Sequence, residues 1–207
     1  ANYHVQNNWA FYAQYAQGFL VPDVSAFNVN NPGHGIIPQE STNYQFGTVY
    51  SASNLSFDGD IYYIDFKHKL QTQTLPNGDQ IETNNGDATM EGFEVEGTYV
   101  FPHGFSAFAN YGQIIAVAKN DSVFPINNGQ QLAGAPRWTA AGGLRSETHD
   151  LGVAESKLVL NLTGHWTGSQ VVNTPTTTLQ RGGQIDGYAD FNFSGTYSWK
   201  NYSLQGQ

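Results

Sequence analysis

The carboxylates that sit two residues apart on a strand are the groups in this chain best placed to do chemistry. Glu94 and Glu96 fall within Met90-Glu91-Gly92-Phe93-Glu94-Val95-Glu96-Gly97. Alternation puts both on one face, about 7 Å apart by strand rise. That separation suits the acid and the base of an inverting glycosidase. Asp58 and Asp60 repeat the spacing on the preceding strand. A catalytic pair has no reason to recur on successive strands, whereas a wall facing water does. The carboxylates therefore read as hydration of a lumen and as contacts for a body that fills it.

The other reactive groups are dispersed. His4, His34, His68, His103, His149 and His165 show no pair with the spacing of a metal site. His165 as the base of a Ser/His/Asp set lacks the strained nucleophile turn that such a site needs. Asn-x-Ser/Thr recurs at Asn54, Asn120, Asn161, Asn192 and Asn201. Two of these lie inside expected strands, so the pattern reflects a polar strand face and not glycosylation. Arg137 and Arg145 share the inward face of one strand, where a guanidinium can hold an anionic chelate or pair with Asp60 or Glu96 across the wall. The residues predict no catalytic site, metal or cofactor.

The 207 residues carry a formal charge of −9 with only eight Lys and Arg, which argues against nucleic acid as a partner. Acidic walls suit divalent ions or cationic solutes instead. There is no Cys, so disulfides and thiolate metal sites are excluded. Gly and aromatic richness with few charges points to an all-β class. No run of eighteen apolar residues exists to form a membrane helix. A barrel strand, however, buries only every second residue in lipid, so low mean hydropathy does not exclude a membrane. The chain begins and ends inside strand-like sequence and reads as a fragment.

The elements follow from period-two alternation. Strands are expected over 8–18, 43–51, 55–69, 89–101, 105–117, 138–145, 158–166 and 189–199, with a ninth beginning after Asn201. In Leu55, Phe57, Gly59, Ile61 and Tyr63 the apolar face ends in aromatics, while Asp58 and Asp60 occupy the other face. The connections over 52–54, 102–104 and 200–201 are short. Those over 19–40, around Pro76-Asn77-Gly78-Asp79, over 119–135 and over 168–184 are long. The second of these has room for a small hairpin of its own, and the connection 147–155 is of middling length. Outer-membrane barrels segregate loops in this way, with short periplasmic turns and long extracellular loops. The expectation is an antiparallel meander of about eight long strands forming part of a transmembrane β-barrel wall.

The run Pro38-Gln39-Glu40-Ser41-Thr42-Asn43-Tyr44-Gln45-Phe46-Gly47, followed by Tyr63-Ile64-Asp65, resembles the barrel of the TonB-dependent outer-membrane receptors. Two positions depart from the family motif: its first Glu is displaced by one place to Glu40, and its second is Gln45. Tyr15-Ala16-Gln17-Gly18-Phe19 with Pro22, the Met90–Gly97 run and Ala135-Pro136-Arg137-Trp138-Thr139 match further motifs in the family's order. The resemblance implies that residues 1–207 are a segment of the C-terminal half of a larger barrel in the bacterial outer membrane. It also implies lipid around the wall, a plug domain, and a TonB-type energy-coupling complex reached through an N-terminal region outside this sequence. The implied activity is not enzymatic but uptake of a scarce solute, a ferric siderophore above all. The resemblance places capture of that small-molecule chelate on the long-loop side. His34, Phe124 and Arg181 near the loop tips, with Arg137, Tyr12 and Tyr188 just below, are the expected ligand contacts. Two alternatives of other classes are a self-contained eight-stranded barrel acting as an adhesin or structural protein, and a soluble glycan-binding β-protein.

Overall fold

A computed structural model describes residues 1–21, 36–74, 78, 80–173 and 183–207. Ten strands form one antiparallel sheet: β1 (Asn2–Gln6), β2 (Trp9–Leu20), β3 (Gln39–Ser51), β4 (Leu55–Lys67), β7 (Asp87–Val100), β8 (Phe105–Lys119), β9 (Trp138–His149), β10 (Ser156–Thr167), β13 (Tyr188–Trp199) and β14 (Tyr202–Gly206). Each pairs with its neighbour in the chain order of the sheet. Two small hairpins stand apart, β5 (Leu70–Thr74) with β6 (Gln80–Asn84) and β11 (Gln170–Asn173) with β12 (Gly183–Ile185). The sheet is open, because β1 and β14 are its opposite edges and do not pair with each other. A closed eight-stranded barrel is thereby excluded for this segment.

The differences from expectation have local causes. The sheet has ten strands, not about eight. β1 escapes a periodicity reading because it is only five residues long, yet it forms a hairpin with β2 across Asn7-Asn8. Residues 147–149, read as connection because they are polar, continue β9, and His149 pairs with Lys157. That leaves only residues 150–155 as a turn, tied by the Asp150 N–H to the Ser156 carbonyl (2.8 Å) and the Leu151 N–H to Ser156 Oγ (3.0 Å). The stretch 168–184, expected as loop, contains the β11–β12 hairpin. The hairpin expected near Pro76-Asn77-Gly78-Asp79 is β5–β6. At the 102–104 turn His103 takes φ 63° and Gly104 φ 79°, and a Cβ on Gly104 would strike the Glu147 carbonyl. Only glycine fits there.

Among the described residues the buried apolar side chains are Ala88, Ala116 and Ala118. A soluble β-sandwich would bury its large apolar residues between two sheets. Here instead Phe46, Ile61, Leu144, Phe191 and Phe193 are all more than half exposed. A single layer with bulky apolar groups on one face needs a non-aqueous surrounding on that face. Cross-strand register groups these residues, as in Ala13, Phe46, Ile61, Phe93, Gln113 and Trp138 on one row of the apolar face. Tyr15, Tyr44 and Tyr63 form another row nearer the long connections, with Tyr15 and Tyr44 rings 5.3 Å apart.

Candidate functional site

The opposite, polar face carries every group whose chemistry was singled out within the wall. Register places Asp58 opposite Glu96 and Asp60 opposite Glu94, so the four carboxylates form one square patch across β4 and β7. They line a shallow depression of about 230 Å³ with Asn110, Gly112 and Thr139. Asp60 is the most engaged of the four. Its Oδ2 accepts from Tyr12 Oη (3.0 Å) and Gln45 Nε2 (2.9 Å). Arg145 does not reach this patch. It is bound to Glu147 on its own strand at 2.6 Å, which removes it as a partner for Asp60 or Glu96.

Glycines let aromatic rings lie flat on this face. A Cβ on Gly47 would stand 2.5 Å from the Tyr12 ring, and one on Gly143 would stand 2.5 Å from the Phe108 ring. Each ring covers the glycine on the next strand, a cross-strand pairing that fills the gap left by the missing side chain. The Tyr12 hydroxyl is thereby carried over Gly47 to Asp60, two strands away.

One inner row crosses the whole wall: Tyr12, Gly47, Asp60, Glu94, Gly112, Thr139, Thr167 and Tyr188. Two of the expected ligand residues are thus its two ends, seven strand spacings apart, or about 34 Å along the sheet. Tyr12 stands three residues above Trp9 at the short-turn end, whereas Tyr188 stands eleven residues above Trp199, at the long-connection end. Tyr12 is therefore not just below the long loops as expected. The cause is strand stagger: eight residues of slip over seven spacings correspond to a tilt of about 38°, within the range for membrane barrels.

The other expected contacts divide. Arg137 is exposed, precedes β9 by one residue, and lies two residues above Thr139 on the inner face. Its N–H donates to the Ser169 carbonyl (3.4 Å), and its carbonyl accepts from Ile114 (3.0 Å). Its guanidinium has no ion pair among the described residues. Tyr188, opposite Thr167, is 57% exposed and stands two strands over from Arg137, two residues lower in register. The two share the inner face near the long connections. Phe124 opens a short 3-10 turn, Pro125–Asn127, in the connection that ends at Arg137, and its N–H is held by Asp121 Oδ1 (2.7 Å). His34 and Arg181 lie outside the described residues.

Near the short-turn end of β9, Glu147 is held by two cations and a histidine. Lys157 Nζ and Arg145 Nη2 each lie at 2.6 Å and His149 Nε2 at 3.5 Å. Alternation alone would have shown that Arg145, Glu147 and His149 share a face, had the strand been drawn past Arg145.

A group of buried polar residues among the long connections went unread in the sequence. Asn85, Asp121 and Asn127 are each 5% exposed or less. Their only signal is the density of Asn, Asp and Ser over 84–87 and 120–122.

The model of a family described as "TonB dependent receptor-like, beta-barrel" matches residues 1–207. The pesticin receptors of Yersinia enterocolitica and Yersinia pestis are 27% and 26% identical over 170 residues, covering 79% of this chain and 24% of theirs. The chain thus spans about a quarter of the length of these relatives. Among solved structures, the ferric yersiniabactin uptake receptor FyuA from Yersinia pestis superposes with a TM-score of 0.72 at 19% identity, covering 95% of this chain and 28% of that one. A mutant of the ferric enterobactin receptor PfeA from Pseudomonas aeruginosa gives 0.78 at 20% identity, covering 99% and 32%. The copper transporter OprC gives 0.74 at 17% identity, covering 99% and 31%.

Proposed function

This chain belongs to the TonB-dependent receptor β-barrel family, and from that premise we propose that it forms part of the wall of an outer-membrane receptor for energy-coupled uptake of a ferric siderophore. The observation that carries the reading is the placement of Arg137, an inward arginine without an ion pair among the described residues, on the same face as Tyr188 where the wall meets the long connections. Arg presents a planar fork of donors that matches carboxylate and catecholate oxygens, and such a group offsets the acidic wall for an anionic chelate. The names of FyuA and PfeA, both receptors for ferric chelates, support the same class. The uptake role is that of a transporter and includes no catalytic step.

The rest of the reading concerns parts outside this sequence. The carboxylate patch of Asp58, Asp60, Glu94 and Glu96 faces the lumen, where a plug domain would meet it with donors. Energy coupling would reach the plug through an N-terminal segment contacting a TonB-type complex. A cationic or metal solute is a second reading, favoured by the four carboxylates and by the likeness to OprC.

The test uses the full-length receptor with Arg137 and Arg181 both replaced by Ala. Binding of a panel of ferric catecholate, hydroxamate and carboxylate chelates is measured by intrinsic fluorescence. Loss of at least tenfold in affinity for one class, with unchanged thermal unfolding, is the expected result. Wild-type affinity for every chelate would overturn the anionic-chelate reading and leave the cationic one.

A further inference from the structure

Two adjacent asparagines at the root of the β5–β6 hairpin reach in opposite directions. Asn84 exchanges two hydrogen bonds with the backbone of Ile37, accepting from its N–H (2.8 Å) and donating to its carbonyl (3.0 Å). It also donates to the His68 carbonyl at 2.8 Å. Asn85 turns to the β8–β9 connection. Its Nδ2 donates to Asp121 Oδ1 (2.6 Å), and its Oδ1 accepts from the Ser122 N–H (3.0 Å) and hydroxyl (2.8 Å). The same Asp121 oxygen accepts from the Phe124 N–H at 2.7 Å, while the Asp121 backbone bonds both ends of the Asn128 amide. The hairpin root itself is closed by Lys69 and Asn85, through Lys69 N–H to Gly86 (3.0 Å) and Asn85 N–H to Lys69 (2.8 Å).

Burial makes this linkage consequential. Asn85 is 5% and Asp121 3% exposed, so water cannot substitute for a lost partner at either. We infer that Asn85 and Asp121 are positioning residues that lock the β5–β6 hairpin, the segment around Ile37 and the β8–β9 connection into one body, and thereby fix where Phe124 stands. Three connections distant in sequence then move together or not at all. Its use in solute capture rests on the uptake reading above; the locking itself does not.

The test exploits the polarity of the pair. Asn85→Asp sets two carboxylates against each other at hydrogen-bond distance, in place of the amide that donates to Asp121. Amide hydrogen exchange is followed in the solute-free full-length receptor, with β10 in the middle of the wall as the control for general packing. The variant should speed exchange at least tenfold at Ser122 and Phe124, and also at Lys69, Ile37 and position 85, whose backbone bonds the substituted contact does not touch directly. Exchange in β10 should keep its wild-type rate. Faster exchange at Ser122 and Phe124 alone would overturn the inference, since the connections would then be independent. Equally faster exchange throughout β10 would overturn it too, by showing a general loss of packing. Because no solute is present, a wrong uptake reading leaves these outcomes unchanged.

Discussion

Glu147 shows how a single side chain reports its surroundings. Lys157 and Arg145 each reach its carboxylate at 2.6 Å. Glu147→Gln removes the charge they bind, so thermal unfolding of the variant receptor should come below wild type in low salt, and the gap should narrow in high salt. A gap of the same size in high salt would mean that packing, and not charge, holds the rim. Gly47 makes a second case on the same scale. Any Cβ there meets the Tyr12 ring, so Gly47→Val should cost about 1–3 kcal/mol in urea unfolding, the usual range for overpacking. Adding Tyr12→Ala should recover part of that loss. Gly206, with nothing within 4 Å of its missing Cβ, should accept Val without such a penalty.

At the level of strands, the two faces differ in solvent, and one pair of neighbours tests it. Leu162 lies on the apolar face, 46% exposed, near the middle of β10, while Asn161 points the other way and donates to Ser194 Oγ (3.3 Å). Arg at Leu162 should cost about 2–4 kcal/mol in refolding into lipid, and Arg at Asn161 much less. Equal costs would reverse the facing. This facing was legible in the sequence because alternation holds over Phe93 to Tyr99 and over Leu160 to Trp166. What alternation could not supply was any element too short to show a period, such as β1 and the β11–β12 hairpin. It also hid the end of β9, where Glu147 and His149 look like turn residues until the partners of Glu147 are known. The row joining Tyr12 to Tyr188 was equally hidden. Facing depends on parity, which a single strand reveals, whereas height in the wall depends on register between strands.

For the molecule as a whole, the outer-membrane setting makes the two rims unequal. Cys introduced at Asn128 in the full-length receptor should react with an impermeant thiol reagent on intact cells, and Cys at Ser53 should not. Reversed labelling would invert the orientation that loop lengths assign. The sheet leaves β1 and β14 each with a single partner. Lipid offers no hydrogen bonds to such edges, so each is open to pairing with another strand.

The stagger of the strands gives the inner row a handed pitch. From Tyr12 to Tyr188 the row climbs as it goes around, gaining about 0.8 Å in height for each ångström of arc at a tilt near 38°. It is in effect a segment of screw thread cut into the lumen, with hydroxyls, carboxylates and bare glycines as its flank. A body that travels through this lumen while keeping contact with that thread cannot simply translate, because it must turn as it advances.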